Sequence, residues 1–249
     1  MKLTVTVTTF NEAENIAAAL DSVAWADEII VVDSGSTDGT LEIAREKASR
    51  VIIHDWNGYS AQKNFAADQA SHEWVLSMDA DERVTPALAA EIRALLAKGP
   101  EARGYRIRRV SRYLGQWIRT TDWFPDYQLR LYDRRAGRWN ELRIHESFRL
   151  ADSTPGTMHG EMEHHSYRDV AHHIQKINHY TTLVVDQWTE EGRRASAIQI
   201  VLHPLFAFVR NYLVRGGVRQ GTTGLIISVL NSYYVFLKFA KLWERQRRG

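Results

Sequence analysis

Three acids within four residues close an apolar run: Trp74-Val75-Leu76-Ser77-Met78 leads straight into Asp79-Ala80-Asp81-Glu82. The run reads as a buried strand, and carboxylates at the C-terminal end of a parallel strand open into the crevice where α/β proteins bind ligands. Spaced Asp-x-Asp, Asp79 and Asp81 can reach one hard divalent cation, which can also take two oxygens of a diphosphate. Mg²⁺ and Mn²⁺ are the usual occupants of an all-oxygen site. Asp-x-Asp by itself is common, and a solvated turn after a strand would look the same. The upstream segments decide between the two.

Those segments alternate strand and helix. Leu3 to Thr9 is β-branched and alternating, a first strand. Asn11 is placed to cap a helix running through Ile16, Leu20 and Val23, with Glu12 and Glu14 in its first turn. Glu28 to Asp33 is a continuous apolar run ending in an acid, as in a buried parallel strand. Turn residues Ser34 to Gly39 precede a helix through Leu41, Ile43 and Ala44, and Arg50 to Ile53 is a third strand. A helix spans about Ser60 to Ala70, and another runs from Ala87 to Lys98 with Thr85 as cap and Pro86 at its first position. Gly104–Val110 and Gln128–Tyr132 are further strands, whereas 112–153 is rich in Trp, Tyr and Arg without clear periodicity. From Val170 to about Trp243 the pattern is helical, broken at Pro204 and Gly216-Gly217. Short connections between alternating elements give an α/β, doubly wound, mostly parallel sheet. The expected division is a catalytic domain over 1–150 and a helical, amphipathic appendage over 151–249.

A parallel sheet would bring Glu12, Asp33 and Asp79/Asp81 to one edge. That edge carries neither G-x-x-x-x-G-K-[ST] nor a tight G-x-G-x-x-G, so a nucleotide bound there needs a cation for its phosphates. Three segments then resemble the landmarks of the family 2 glycosyltransferases: Thr8-Thr9-Phe10-Asn11-Glu12, Val31 to Thr40, and Met78-Asp79-Ala80-Asp81-Glu82. The resemblance covers about the first half of the chain and implies a GT-A fold, inversion at the sugar, and Mg²⁺ or Mn²⁺. Gly58 to Ala66 and the basic, aromatic C-terminal region further resemble the bacterial enzymes that glucosylate the lipopolysaccharide inner core.

The resemblance implies roles residue by residue. Thr9, Asn11 and Glu12 would line the nucleoside. Asp33 or Ser34 would read the base, since Ser34 replaces the second acid usual in the family. Lys63 would approach the diphosphate, although a solvated helix lysine would sit there equally well. Asp81 would be the main metal ligand, Asp79 would touch sugar or ribose and metal, and His145 would be a further ligand. An inverting displacement also needs a carboxylate across the sugar from the metal to take the acceptor proton. Asp126, before Tyr127-Gln128-Leu129-Arg130-Leu131, is one candidate and Glu146 the other; Pro125 stands where the family carries a Glu. Arg130 would hold Asp126 ionised or meet substrate phosphate.

Of 249 residues none is cysteine, which excludes disulfides and thiolate chemistry. The first residues enter a strand at once, with no signal-peptide pattern. Net charge is only +2, but from Arg193 onward ten Lys and Arg stand against the single acid Glu244, which points to an anionic partner. Leu225–Trp243 approaches the ~20 apolar residues of a membrane span, yet Asn231, Lys238 and Lys241 interrupt it. Interfacial helices suit the pattern better, with a helical cap or a dimer interface as alternatives. The histidines between His159 and His179 lack familiar metal-ligand spacing and read as core-edge or solvent-facing.

The expected partners are thus a nucleotide-sugar donor, favoured as UDP-glucose, a glycolipid acceptor and the inner membrane surface, with no nucleic acid and an oligomer left open. The expected location is cytoplasmic, peripheral on the cytoplasmic face of the inner membrane. A polyprenyl-phosphate acceptor is the alternative within the class. A non-catalytic nucleotide- or lipid-binding module would not need Asp79-Ala80-Asp81, and a nucleotidyltransferase would carry a Gly-rich basic loop where Thr9-Phe10-Asn11-Glu12 stands.

Overall fold

The computed structural model describes residues 1–140 and 146–248. The chain forms two compact units, Met1–Arg109 with Asp126–His165, and Val110–Pro125 with Ser166–Gly249.

In the first unit the order is β1 (Leu3–Thr9), α1 (Ile16–Asp21), β2 (Glu28–Asp33), α2 (Thr40–Lys47), β3 (Arg50–Ile53), α3 (Tyr59–Asp68), β4 (Trp74–Asp79), β5 (Glu82–Val84), α4 (Pro86–Lys98) and β6 (Gly104–Tyr113), whose last residues enter the second unit. There β7 (Gln116–Trp117) pairs with the end of β6. The chain then returns to the first unit as β8 (Asp126–Asp133), β9 (Gly137–Trp139), β10 (Phe148–Leu150) and β11 (Gly156–His164).

The main sheet runs β3-β2-β1-β4-β8-β6-β11-β5. Its first four strands are parallel, and β1, β2 and β4 are buried along nearly their whole length, as in a parallel sheet covered on both faces. The sheet then reverses: β8 is antiparallel to β4, and β6 to β8. Leu20, Val31, Leu76, Met78, Leu88 and Ile92 form its core. Thr85 caps α4 as expected, its Oγ1 accepting from Leu88 N at 3.3 Å, with Pro86 in the first position. β9 and β10 form a small antiparallel ribbon that needs glycine at 137, where a Cβ would fall 1.9 Å from Arg149 O.

Two local expectations fail for tertiary reasons. The first helix begins at Ile16, with Asn15 at its N-cap position, not with Asn11 as cap. Asn11 takes a left-handed φ of 53° and spends its side chain on the next loop, where Oδ1 accepts from Thr37 N at 2.9 Å. Pro204 does not break the C-terminal helices but lies inside one of them.

The second unit is mostly helical: α5 (Val170–Glu190), α6 (Ala197–Val209) continued by a π-helical turn Arg210–Val214, and α7 (Gly221–Arg248). Gly192, at φ 70°, follows the end of α5, and Ser196 with Gln199 forms a capping box that restarts the chain as α6. Tyr113, Ile118 and Ile227 pack together with Trp123 and Tyr167. His173 joins them, buried and 3.1 Å from the Tyr113 hydroxyl. Burial drives the imidazole down to about 4 and the phenol up to about 12, so both are neutral core groups.

Candidate active site

Parallel pairing of β1 with β2 and β4 sets Thr9 beside Asp33 and Thr8 beside Asp79, so the acidic strand ends share one edge. The loops after β1 and β2 are laced together there. Asn11 N donates to Ser36 Oγ at 2.8 Å and Glu12 N to Thr40 Oγ1 at 2.9 Å. Glu12 accepts from Asn15 Nδ2 at 2.8 Å. Asp33 is fully buried, and its carboxylate shapes its own loop by accepting from Gly35 N and Ser36 N, each at 2.8 Å, and from Ser36 Oγ. Ser34 Oγ accepts from Gln62 Nε2 at 2.9 Å. The Thr9 hydroxyl is buried without a hydrogen-bond partner among the described residues.

Below this edge lies a chain of alternating charge. Arg109 Nε donates to Asp126 at 2.9 Å and its Nη1 to Glu82 at 2.9 Å. Arg130 Nη2 lies 2.7 Å from both Glu82 and Asp79. Lys63 Nζ, on α3, lies 3.0 Å from Asp79 and 3.0 Å from Glu146. The order is therefore Asp126, Arg109, Glu82, Arg130, Asp79, Lys63, Glu146, and the two candidate bases stand at opposite ends. Lys63 is not a solvated helix lysine: its side chain is 2 % exposed.

Burial would push Asp79 up, but Lys63 and Arg130 outweigh it and hold its carboxyl well below the usual range. Asp126 follows the same balance, with burial opposed chiefly by Arg109, and is also held down. The guanidinium that holds Asp126 is thus Arg109, not Arg130. Register explains the correction. Arg109 pairs directly with Asp126 across β6 and β8, whereas Arg130 lies four residues along the same strand, roughly 13 Å away at strand rise.

Asp81 lies beyond this chain, with His164 Nε2 3.5 Å from its Oδ2. His164 is placed by the antiparallel pairing of β11 with β5, which sets it opposite Glu82. His145, expected as a metal ligand, lies outside the described residues.

Among the described residues, five carboxylates, Asp79, Asp81, Glu82, Asp126 and Glu146, thus accompany three permanent cations, Lys63, Arg109 and Arg130. The excess of two negative charges suits a dication and would repel a diphosphate arriving without one. Asp81 and His164 would offer a carboxylate and an imidazole, although no cluster of three or more His, Asp or Glu side chains placed for a metal ion occurs among the described residues.

Sequence reasoning missed Glu82, Arg109 and His164. Glu82 stood inside the quoted motif, but only burial shows that it ties Arg109 to Arg130. Arg109 and His164 carry no local signal, because strand register alone delivers them. Replacing Arg130 by Met would leave Asp79 and Glu82 short of a buried partner, an expected loss of about 3–5 kcal/mol measured by urea unfolding. An unchanged midpoint would show that the network does not support the fold.

Residues 4–160 match the family described as Glycosyl transferase family 2. LpsC of Rhizobium meliloti (strain 1021), named a lipopolysaccharide core biosynthesis glycosyltransferase, is 31 % identical over 98 % of this chain and 93 % of its own. RP128 of Rickettsia prowazekii (strain Madrid E), an uncharacterized glycosyltransferase, is 28 % identical over 97 % of this chain and 86 % of its own. The mannosyltransferase PcManGT of Pyrobaculum calidifontis, solved with GDP-Man and Mn²⁺, aligns at a TM-score of 0.56 over 98 % of this chain and 88 % of its own, with 17 % identity. That likeness is one of fold, and the fold is GT-A-like. With strand-end acids in register and a family match over more than half its length, the chain belongs to glycosyltransferase family 2.

Proposed function

We propose that this glycosyltransferase moves glucose from UDP-glucose, with inversion, to a hydroxyl of a lipopolysaccharide core or related glycolipid. The observation that carries the reading is the excess of two negative charges, among the described residues, at the edge holding Asp79 and Asp81, which calls for a divalent cation when a nucleoside diphosphate binds. The acceptor class is supported by the name of the relative LpsC. The first unit would bind the nucleotide sugar, and the second would serve the acceptor side at the inner membrane's cytoplasmic face.

Asp81 would hold Mg²⁺ or Mn²⁺, with His164 and Asp79 as neighbours. When bound, that ion supplies positive charge to the leaving diphosphate. Thr9, Asn11 and Glu12 would line the nucleoside and Ser34 would face the base, while Asp33 keeps the loop in shape. Asp126, ionised and oriented by Arg109, would accept the acceptor's hydroxyl proton. Glu146 is the second candidate for that step, tied to Lys63 at the other end of the charge chain.

Calorimetric titration of UDP-, GDP- and CMP-sugars with and without Mn²⁺ tests the reading. Mn²⁺-dependent binding of UDP-glucose is expected. Preference for another nucleotide sugar would correct the donor, and no binding with any metal would sink the proposal.

A further inference from the structure

The helices of the second unit enclose a groove of about 800 Å³ whose lining combines aromatic rings with cations. Trp188 of α5, Phe206 of α6 and Phe239 of α7 form its apolar part, and Arg193, Arg194, Arg210 and Lys238 its charged part. No carboxylate lines it among the described residues. Arg193 and Arg210 have acidic partners, Glu191 and Asp122, at its margin. No carboxylate pairs with Lys238 or Arg194 among the described residues. Lys238 lies instead over the Trp188 ring, its Nζ 5.2 Å from the centroid. Burial and the nearby Arg210 both hold its ammonium below the ordinary lysine value, so an anion entering the groove would relieve it.

Beside the groove, α6 is turned inside out. Its buried residues are Pro204 and Ala207. Ile198, Val201, Leu202, Leu205, Phe206 and Val209 lie at helical spacing on the exposed side, with Phe206 67 % exposed. An apolar stripe facing outward marks an interaction surface. Leu202 and Phe206 belong both to this stripe and to the groove wall, so apolar face and cationic pocket are continuous. The segment Ala197–Val214 is apolar and long enough to cross a membrane by length and composition. Its neighbour α7, which also passes that test, is tied down by polar contacts: Lys241 donates to Asn178 O at 2.7 Å and Thr182 Oγ1 at 2.8 Å on α5. A helix anchored in this way packs as part of a bundle, and its exposed apolar side chains (Leu225, Val229, Tyr233, Phe236) are mostly less exposed than those of α6, which therefore presents the stronger face for lipid.

We propose that the groove between α5, α6 and α7 seats the phosphate headgroup of an anionic bilayer phospholipid, with the exposed stripe of α6 lying among its acyl chains. The proposal deepens the reading of the second unit as the membrane side of the enzyme. A bilayer lipid supplies both parts that the surface asks for, an anion for Lys238 and Arg194 and hydrocarbon for Leu205 and Val201. A soluble phosphate supplies only the first, and a second copy of the chain would bring like charge to the groove.

The test is flotation of the full chain with phosphatidylcholine vesicles, with and without phosphatidylglycerol. Each cation near an anionic leaflet strengthens binding about fivefold. Arg194→Gln with Lys238→Gln should therefore weaken binding to phosphatidylglycerol vesicles about 25-fold and barely change binding to phosphatidylcholine. Val201→Ser with Leu205→Ser should remove binding to both. Inorganic phosphate at matched ionic strength should not release the protein. Wild-type binding by either double variant would overturn the proposal. So would full release by inorganic phosphate, or loss of a dimer with unchanged vesicle binding in the α6 variant. Should Lys238→Gln fail to fold, the exposed Arg194→Gln alone should show about a fivefold loss. UDP-sugar titration of the same variants separates the two readings, because lost vesicle binding with intact donor binding concerns the groove alone.

Discussion

Asp126→Asn is expected to lower transfer by about 10²–10⁴-fold, the usual contribution of a positioned general base, with donor affinity unchanged. The amide keeps the shape and can still accept from Gln128 Nε2, which lies 2.6 Å from Oδ1, but it cannot take a proton from the acceptor. It also loses its charge against Arg109, so folding must be checked by thermal melting. Unchanged transfer would remove Asp126 from the chemistry and leave Glu146 as the base.

The pH profile provides a second readout of the same assignment. Arg109 holds Asp126 below the usual carboxylate value of 3.8, and Lys63 with Arg130 does the same for Asp79. A folded-state pKa below the unfolded one adds stability above the unfolded value, and that stability is lost as pH falls through the folded one. The network is therefore expected to keep its full contribution at neutral and weakly acidic pH and to lose it only below about pH 4. The acidic limb of kcat/KM should fall in the same region, since the free enzyme's base is already ionised above it. A limb near pH 6 would point to a different base.

Asp81→Ala is expected to abolish the metal-dependent part of donor binding and to cut transfer by at least about 100-fold, since a metal contributes several kcal/mol of charge stabilisation. The fold should survive. The ion pairs from Asp126 to Glu146 do not need Asp81: Arg109, Glu82, Arg130, Asp79 and Lys63 keep one another as partners. Asp79→Ala would be a poorer experiment, because Asp79 is a partner of both Lys63 and Arg130 and its loss would confound stability with catalysis. Calorimetry with UDP-glucose, with and without Mn²⁺, reads the effect. Metal-dependent binding that persists in the variant would place the ion elsewhere.

Local pattern was enough to lay out the parallel half of the sheet. Apolar runs ending in acids at Asp33 and Asp79, turn residues after each, and Thr85-Pro86 at a helix start are short-range signals, and β1, β2, β3, β4 and α4 formed where those signals lie. Because parallel strands alternate with helices, their C-terminal ends must share an edge, so the gathering of Glu12, Asp33, Asp79 and Asp81 followed from sequence alone. The other half of the site was not legible in this way. Lys63 meets Glu146 across 83 residues, and Arg130 meets Glu82 across 48. The first depends on how the segment before β10 lies against α3, the second on how β6, β8, β11 and β5 reverse and which residue of each stands opposite which. A shift of one residue in any of these registers would turn Arg109 or His164 to the opposite face of the sheet. Sequence thus determined that the acidic strand ends share one edge. Only the tertiary structure decided which cations hold their carboxylates ionised, because antiparallel pairing between distant segments is fixed by the packing of the whole sheet.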